Sequence, residues 1–292
     1  MRLPDHFRQF MDALPFPKYT QRKGKFNLVN QLPAGFVLPD LGPKMYCTYG
    51  SSDGKGGISM TNLHCDMANA VNIMAYAPVE FLRECNIEVP GIWTHDDGIS
   101  STGITAGPAA VAVWDIYLPE AIGDLRRFIS EKVSMEYTAD CSGLIAAKHG
   151  DPIHNQETYL TQLMRKEFSE WYGHNCYQIY QIPGDAVFVL AGCVHQVCNY
   201  ASAVKIAMDF VSPEQVDHSC QLTEEFCQLS SKHLRNPDLL QLGNILWWTF
   251  ASKQMSAPMP KRKRMPASSM AFDGKTFKLN RGTKQLTGIC RK

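Results

Sequence analysis

The strongest constraint on how this chain folds is a pair of fragments about 130 residues apart. One is Thr61-Asn-Leu-His64-Cys-Asp66; the other runs from Pro183-Gly-Asp185 through Ala191-Gly192 to His195-Gln-Val-Cys-Asn199. Residues i and i+2 of a strand point to the same side, so a strand through His64 and Asp66 aims both at one point. A strand from Ala186 to Leu190 and a tight turn permitted by Gly192 bring His195 to that point. Two imidazoles and one carboxylate make a facial set that holds a ferrous ion and leaves the opposite positions open for a co-substrate and oxygen. Strands far apart in sequence lie side by side in an antiparallel jelly roll. The fold expected is mainly β with helical additions.

With 292 residues, 45% of them hydrophobic, the chain can bury a sizeable core, and one domain over residues 1–251 is expected. Residues 252–292 are rich in Met, Pro, Ser, Lys and Arg and read as a disordered basic tail. A net charge of +1 provides no global field for nucleic acid or a membrane surface, so no sequence-specific DNA binding by this domain is expected. No apolar run is long enough to cross a bilayer. The ten cysteines include no Cys-x-x-Cys pair and follow no signal peptide, which points to a reduced intracellular protein.

Phe7, Phe10, Met11 and Leu14 have helical spacing and predict a short leading helix that Pro15 and Pro17 stop. Phe26 to Tyr49 reads as strand broken by Pro33, Pro39 and Pro43, and residues 50–57 as a flexible turn. Strands are expected over Val71 to Tyr76, Val111 to Tyr117, Tyr177 to Ile182, Ala186 to Leu190 and Val204 to Phe210. Residues 86–112 have no clear period and read as a long loop. Apolar spacing predicts helices over Pro119 to Val133 and Thr158 to Trp171. Ser212-Pro213-Glu214 has the form of a capped helix start, and two helices follow, one to about Leu234 and one from Pro237 to Phe250.

A His-x-Asp triplet alone says little. His149-Gly-Asp151 has the same spacing, but a glycine at its centre and Pro152 after it make it a loop. His64 and Asp66 have a second reading as a hydrogen-bonded core pair, and His195 as a core histidine; the metal reading rests on all three together. Cys65 points away from the ligands, while Cys193 and Cys198 flank His195 without zinc-finger spacing, so all three read as core residues.

Longer stretches carry a resemblance. They are Phe10-Met-Asp-Ala-Leu-Pro15, Leu41-Gly-Pro-Lys-Met-Tyr46, Tyr49-Gly50, Thr61 to Asp66, Ala70-Val-Asn-Ile-Met74, Asp151-Pro-Ile-His154, Pro183-Gly-Asp185, Ala191-Gly192, His195-Gln-Val197 and Asp209-Phe-Val-Ser-Pro-Glu214. Over roughly residues 5–250 the chain resembles the JmjC oxygenases. Within them it is similar to the lysine demethylase branch that acts on histone H3 lysine nine and includes the Hairless-type proteins. The resemblance implies a double-stranded β-helix, a cupin-like jelly roll, that binds Fe(II) and 2-oxoglutarate. His64, Asp66 and His195 match the family's metal ligands, the catalytic centre, and Thr61 matches its hydroxyl contact to 2-oxoglutarate. It further implies hydroxylation of an N-methyl group on a methylated histone tail, release of formaldehyde, and a nuclear protein working with chromatin-associated transcription factors. Members of this branch usually carry a cysteine-rich zinc region upstream, which this sequence does not supply, so it reads as a fragment or a shortened relative.

The distal carboxylate of 2-oxoglutarate needs a cation beside it. Many JmjC enzymes place a lysine on the strand after the first ligand pair, but Pro78 to Phe81 has none. The candidate is Lys205: Val204, Ile206, Met208 and Phe210 form one face of a strand, and Ala203, Lys205, Ala207 and Asp209 the other. The alternative is that this second face meets solvent. Asn72 and Tyr76 are further candidates to line the pocket, with a structural role as the alternative. Lys261-Arg-Lys-Arg264 reads as a nuclear import signal or as a solubilising stretch. Three other functions use the same metal chemistry or fold: a JmjC hydroxylase of protein side chains, a chromatin scaffold with weak or absent turnover, and a cupin-type small-molecule enzyme.

Overall fold

The structure is a computed structural model that describes residues 4–50, 59–78, 110–139, 150–229 and 238–256. In the first of two units, Met1–Met255, eight strands are seen among the described residues. They are β1 (Lys44–Thr48), β2 (Met60–His64), β3 (Asn69–Tyr76), β4 (Ala112–Tyr117), β5 (Tyr177–Gln181), β6 (Ala186–Val189), β7 (Val194–Asn199) and β8 (Ala203–Phe210). They form two four-stranded antiparallel sheets, ordered β1-β8-β3-β6 and β2-β7-β4-β5. Each strand pairs with the one at the mirrored position in the chain: β1 with β8, β2 with β7, β3 with β6 and β4 with β5.

The two sheets pack face to face through Met74, Ala112, Trp114, Ile116, Val187, Val189 and Val197. Both faces of the second sheet are covered at β4, which is buried at every residue and is apolar except for Asp115, whose carboxylate accepts from Arg165, Gln178 and Gln196. Its outer face carries α3 (Ile122–Ala139), α4 (Gln162–Tyr172) and α5 (Val216–Cys227), joined to it through Tyr117, Leu125, Phe128, Phe168, Leu222 and Phe226. The first sheet is covered outside by α1 (Pro4–Ala13), whose Phe10, with Leu14 beyond it, packs on Val71 and Met208. The short α2 (Pro17–Thr20) follows, and α6 (Leu242–Ser256) ends the described chain.

Several expected elements are altered by tertiary partners. Of the strand expected over Phe26 to Tyr49, only β1 forms. Leu28–Gln31 makes a 3-10 turn instead, because Leu28, Val29 and Leu32 bury against Val211, whose carbonyl accepts from the Leu28 N–H at 2.8 Å. The helix expected from Thr158 starts at Gln162: the Thr161 hydroxyl caps it by accepting from the Met164 N–H at 3.4 Å, while the Thr158 carbonyl is taken by the Leu63 N–H at 2.8 Å. Ser212 makes no side-chain cap; its hydroxyl accepts from the Asn69 side-chain amide at 3.1 Å, and Pro213–Gln215 is a 3-10 turn leading into α5. The last helix begins at Leu242 rather than Pro237, after Gln241 in a left-handed conformation. β7 was not expected as a strand, since Val194 to Asn199 is buried throughout and shows no alternation of polarity. Residues 51–58 and 86–109, His149, Leu234, Pro237 and Lys261 to Arg264 lie outside the described residues.

Candidate metal centre

β2 and β7 pair so that His64 lies opposite His195. The two rings are 4.2 Å apart between centroids, and both are buried. β2 ends at His64, so Asp66 lies just beyond it and strand alternation is not what aligns the carboxylate. A bond from the Gly192 N–H to the Asp66 carbonyl, at 3.3 Å, ties this segment to the turn that opens β7. Gly192 itself has φ +85°, and a Cβ there would stand 3.1 Å from the Cβ of His218. The Asp66 Oδ2 is 3.8 Å from His64 Nε2 and 3.9 Å from His195 Nε2. One ligand atom from each of the three lies within 4.8 Å of the others.

The far ring nitrogens are both held by backbone carbonyls. His64 Nδ1 lies 2.7 Å from the Asn62 carbonyl and His195 Nδ1 3.2 Å from the Cys193 carbonyl. Each Nδ1–H therefore donates to backbone, and each Nε2 lone pair faces the shared point. Two neutral imidazoles and a carboxylate gathered this way are a donor set suited to Fe(II).

These groups open into a cavity of about 300 Å³ between the sheets. Its walls include Thr61 on β2, Asn72 on β3, Trp114 on β4, Asn199 on β7, and Lys205, Ala207 and Asp209 on β8. Lys205 is 3% exposed, with its Nζ 5.1 Å from the centre of the Trp114 ring. No carboxylate lies against its ammonium among the described residues, and burial pulls its pKa down to about 7. The Oδ1 atoms of Asn72 and Asn199 are buried without a hydrogen-bond partner. A buried ammonium beside the donor set fits a small anionic ligand held next to a metal, whereas the two amide oxygens are acceptors and would take a hydroxyl or N–H donor. The face of β8 that carries Lys205 thus meets the cavity rather than solvent, while Ile206 and Met208 meet the α1 side.

Tyr76 is not brought into the cavity. Pairing of β3 with β8 slips between Met74 and Tyr76, the side-chain alternation breaks there, and Tyr76 is left 58% exposed. Sequence reasoning missed Trp114, which lies near-parallel to His195 at 6.1 Å, and Asp209, which pairs with Lys44 at the rim. Both were within reach as inward positions of expected strands. Burial pushes the Asp209 carboxyl up to about 6 against the pull of Lys44. Lys44, Asp66 and Asp209 also line a second opening of about 210 Å³, walled by Asp40, Leu41, Leu239 and Leu240. Its two loops are joined by a bond from the Gln241 side chain to the Val37 carbonyl at 2.9 Å.

Residues 129–210 match the family described as JmjC domain, hydroxylase. The chain carries a JmjC domain. The matched span includes His195 and Lys205, whereas Thr61, His64 and Asp66 precede it. This JmjC chain is 41% identical over 253 residues to lysine-specific demethylase 3A of Mus musculus, and 40% identical over 256 residues to that of Homo sapiens. It is 38% identical over 257 residues to lysine-specific demethylase 3 of Drosophila melanogaster. Each alignment covers 84% of the chain, which spans only 18%, 18% and 29% of the lengths of these relatives.

Proposed function

We propose that this JmjC chain is an Fe(II)- and 2-oxoglutarate-dependent histone lysine demethylase that acts on methylated lysine nine of histone H3, in the branch that includes the Hairless-type proteins. In this reading residues 1–251 are the oxygenase domain, and the nested pairing of its strands is that of a double-stranded β-helix. The observation that carries it is the convergence of His64, Asp66 and His195 at a cavity in which Lys205 is buried without a carboxylate partner among the described residues.

His64, Asp66 and His195 would hold the metal, each histidine presenting Nε2 while its Nδ1–H is fixed by backbone. Lys205 would pair with the distal carboxylate of 2-oxoglutarate, with the Thr61 hydroxyl and the Asn72 amide as polar contacts. Bound iron, 2-oxoglutarate and oxygen together supply the oxidising equivalent that hydroxylates an N-methyl group. The hydroxylated product is a hemiaminal that releases formaldehyde and leaves the amine shorter by one methyl. Trp114 closes the inner wall against water beside both His195 and Lys205. The methylated lysine would enter through the second opening, where Asp40 gives the outer wall a negative charge suited to a basic histone tail. A nuclear location and work alongside chromatin-associated transcription factors follow from this substrate.

The test is mass spectrometry of histone H3 peptides methylated at lysine nine after incubation with the chain, Fe(II) and 2-oxoglutarate. Loss of one CH₂ per turnover, absent in His64→Ala, is the expected result. A stable gain of one oxygen atom would overturn it in favour of a side-chain hydroxylase, and an unchanged peptide in favour of a scaffold.

A further inference from the structure

Behind the metal centre lies a second group of ligating side chains. Asp151 and His154 come from the turn that follows residue 150 and Glu225 from α5, and a ligand atom of each lies within 4.8 Å of the others. This group already has its cation. Arg126 of α3 places Nε 2.6 Å from Asp151 Oδ2 and Nη2 2.5 Å from Glu225 Oε2. A divalent ion among these carboxylates would sit against the guanidinium. His154 is 3% exposed and lies tilted at 50° against Phe226 with ring centroids 4.3 Å apart, and burial pulls its pKa below the ordinary histidine value despite the pull of Asp151 and Glu225. Its Nε2 lies 3.0 Å from Glu225 Oε2 and 3.1 Å from Arg126 Nη2, while Nδ1 faces the thiol of Cys65 at 3.9 Å.

Cys65 is the residue between His64 and Asp66, buried on the side away from the cavity. The strand it extends needs support there. Pairing of β2 with β7 is irregular between Thr61 and His64, and backbone groups that leave a ladder must find other partners. The Leu63 N–H goes to the Thr158 carbonyl at 2.8 Å, and the Asn62 side-chain amide to the Gln156 carbonyl at 2.9 Å. The Asn62 carbonyl in turn holds His64 Nδ1. The segment from 151 to 158 therefore grips residues 62, 63 and 65, and it is itself pinned. Asp151 Oδ1 accepts from the N–H groups of Ile153 and His154 at 2.9 and 3.0 Å, and Arg126 and Glu225 tie it to α3 and α5.

We propose that Arg126, Asp151, His154 and Glu225 form a metal-free buttress whose role is to position His64 and Asp66 for the ion, through Cys65 and the segment at 156–158. The four are positioning residues, and the inference rests on the metal-centre reading above. Partners one step behind metal ligands typically change affinity by about 10- to 100-fold when removed.

The experiment is titration of Mn(II) into the purified chain, with free ion followed by electron paramagnetic resonance and the metal-free unfolding midpoint measured in parallel. One ion per wild-type chain is expected. Glu225→Gln and Cys65→Ala should each weaken Mn(II) binding by about tenfold or more, while Cys65→Ser, which keeps a hydroxyl donor toward His154, restores much of it. Cys65→Ala leaves every ion pair intact, so it carries the test should Glu225→Gln fail to fold. Unchanged Mn(II) affinity in Cys65→Ala and Glu225→Gln, even with a lowered unfolding midpoint, would reduce the cluster to a structural tie and overturn the proposal. Two ions per chain, one of them lost in Glu225→Gln, would overturn it by making the cluster a metal site. A wild-type chain that takes up no Mn(II) would instead sink the metal-centre reading and the buttress with it.

Discussion

Lys205 serves two opposed demands. A buried ammonium facing no carboxylate costs stability, yet the same charge is what an anionic co-substrate would need. Lys205→Met should raise the stability of the metal-free chain by roughly 2 kcal/mol and abolish the stabilisation that 2-oxoglutarate adds in the presence of Mn(II), as read by thermal unfolding. Because burial lowers its pKa from 10.5 to about 7, the unfolded chain binds the extra proton between those values. Wild type should therefore gain stability relative to Lys205→Met as pH rises from 7 toward 10. Lys205 was legible because small residues flank it on one face of an alternating strand. Tyr76 was misread because the slip after Met74 arises from pairing with β8, which no local pattern reports. His154 was singled out only as part of the Asp151-Pro-Ile-His154 stretch, and its partners were not legible for a related reason: Arg126, Glu225 and Cys65 reach it from three separate segments, and only Asp151 is near in sequence.

Turns and strand ends, rather than strand interiors, set where the ligand-bearing elements stop. The turn at Gly192 shows this most directly, because its left-handed backbone and the nearby His218 leave little room for a side chain. Gly192→Ala should cost about 1 to 2 kcal/mol, and it should also weaken Mn(II) binding, because the same turn bonds the Asp66 carbonyl and launches the strand bearing His195. Urea unfolding and Mn(II) titration of the one variant check both. At this scale the text of the chain was readable where one face was apolar, as in β3, β8 and α1. It was unreadable where polar residues interrupt a fully buried strand, as His195, Gln196 and Asn199 do in β7, or where a distant group claimed a partner, the Leu63 N–H for Thr158 and the Asn69 side-chain amide for Ser212.

Across the molecule, acid should act first on the buttress. Facing His154 are the carboxylates of Asp151 and Glu225, the guanidinium of Arg126 and the thiol of Cys65. His154 is held below its ordinary 6.5 by burial, so below that pH the unfolded chain binds more protons and stability falls. Glu225, held down by Arg126 and His154 despite its own burial, adds a second loss below its ordinary 4.5. Asp209 works the other way: raised to about 6, it favours the folded chain as pH drops from there toward 3.8. Comparing wild type with His154→Gln isolates the first effect, and the unfolding midpoint of wild type should decline relative to the variant between pH 7.5 and 5.5. The β-rich class with added helices was foreseeable from the distance between the two fragments, whereas the helices' attachment to the second sheet depends on residues scattered from Leu63 to Phe226.

The mirrored strand order has a consequence for how the molecule comes into being. Outer partners are made first and last, so β1 waits for β8 and β2 waits for β7, while β4 and β5 meet earliest. Closing such large loops is slow and entropically expensive until the inner pair exists. A nascent chain halted before β7 lacks the His195 that pairs opposite His64, so the proposed metal seat would stay incomplete until nearly all the strands of the two sheets had left the ribosome.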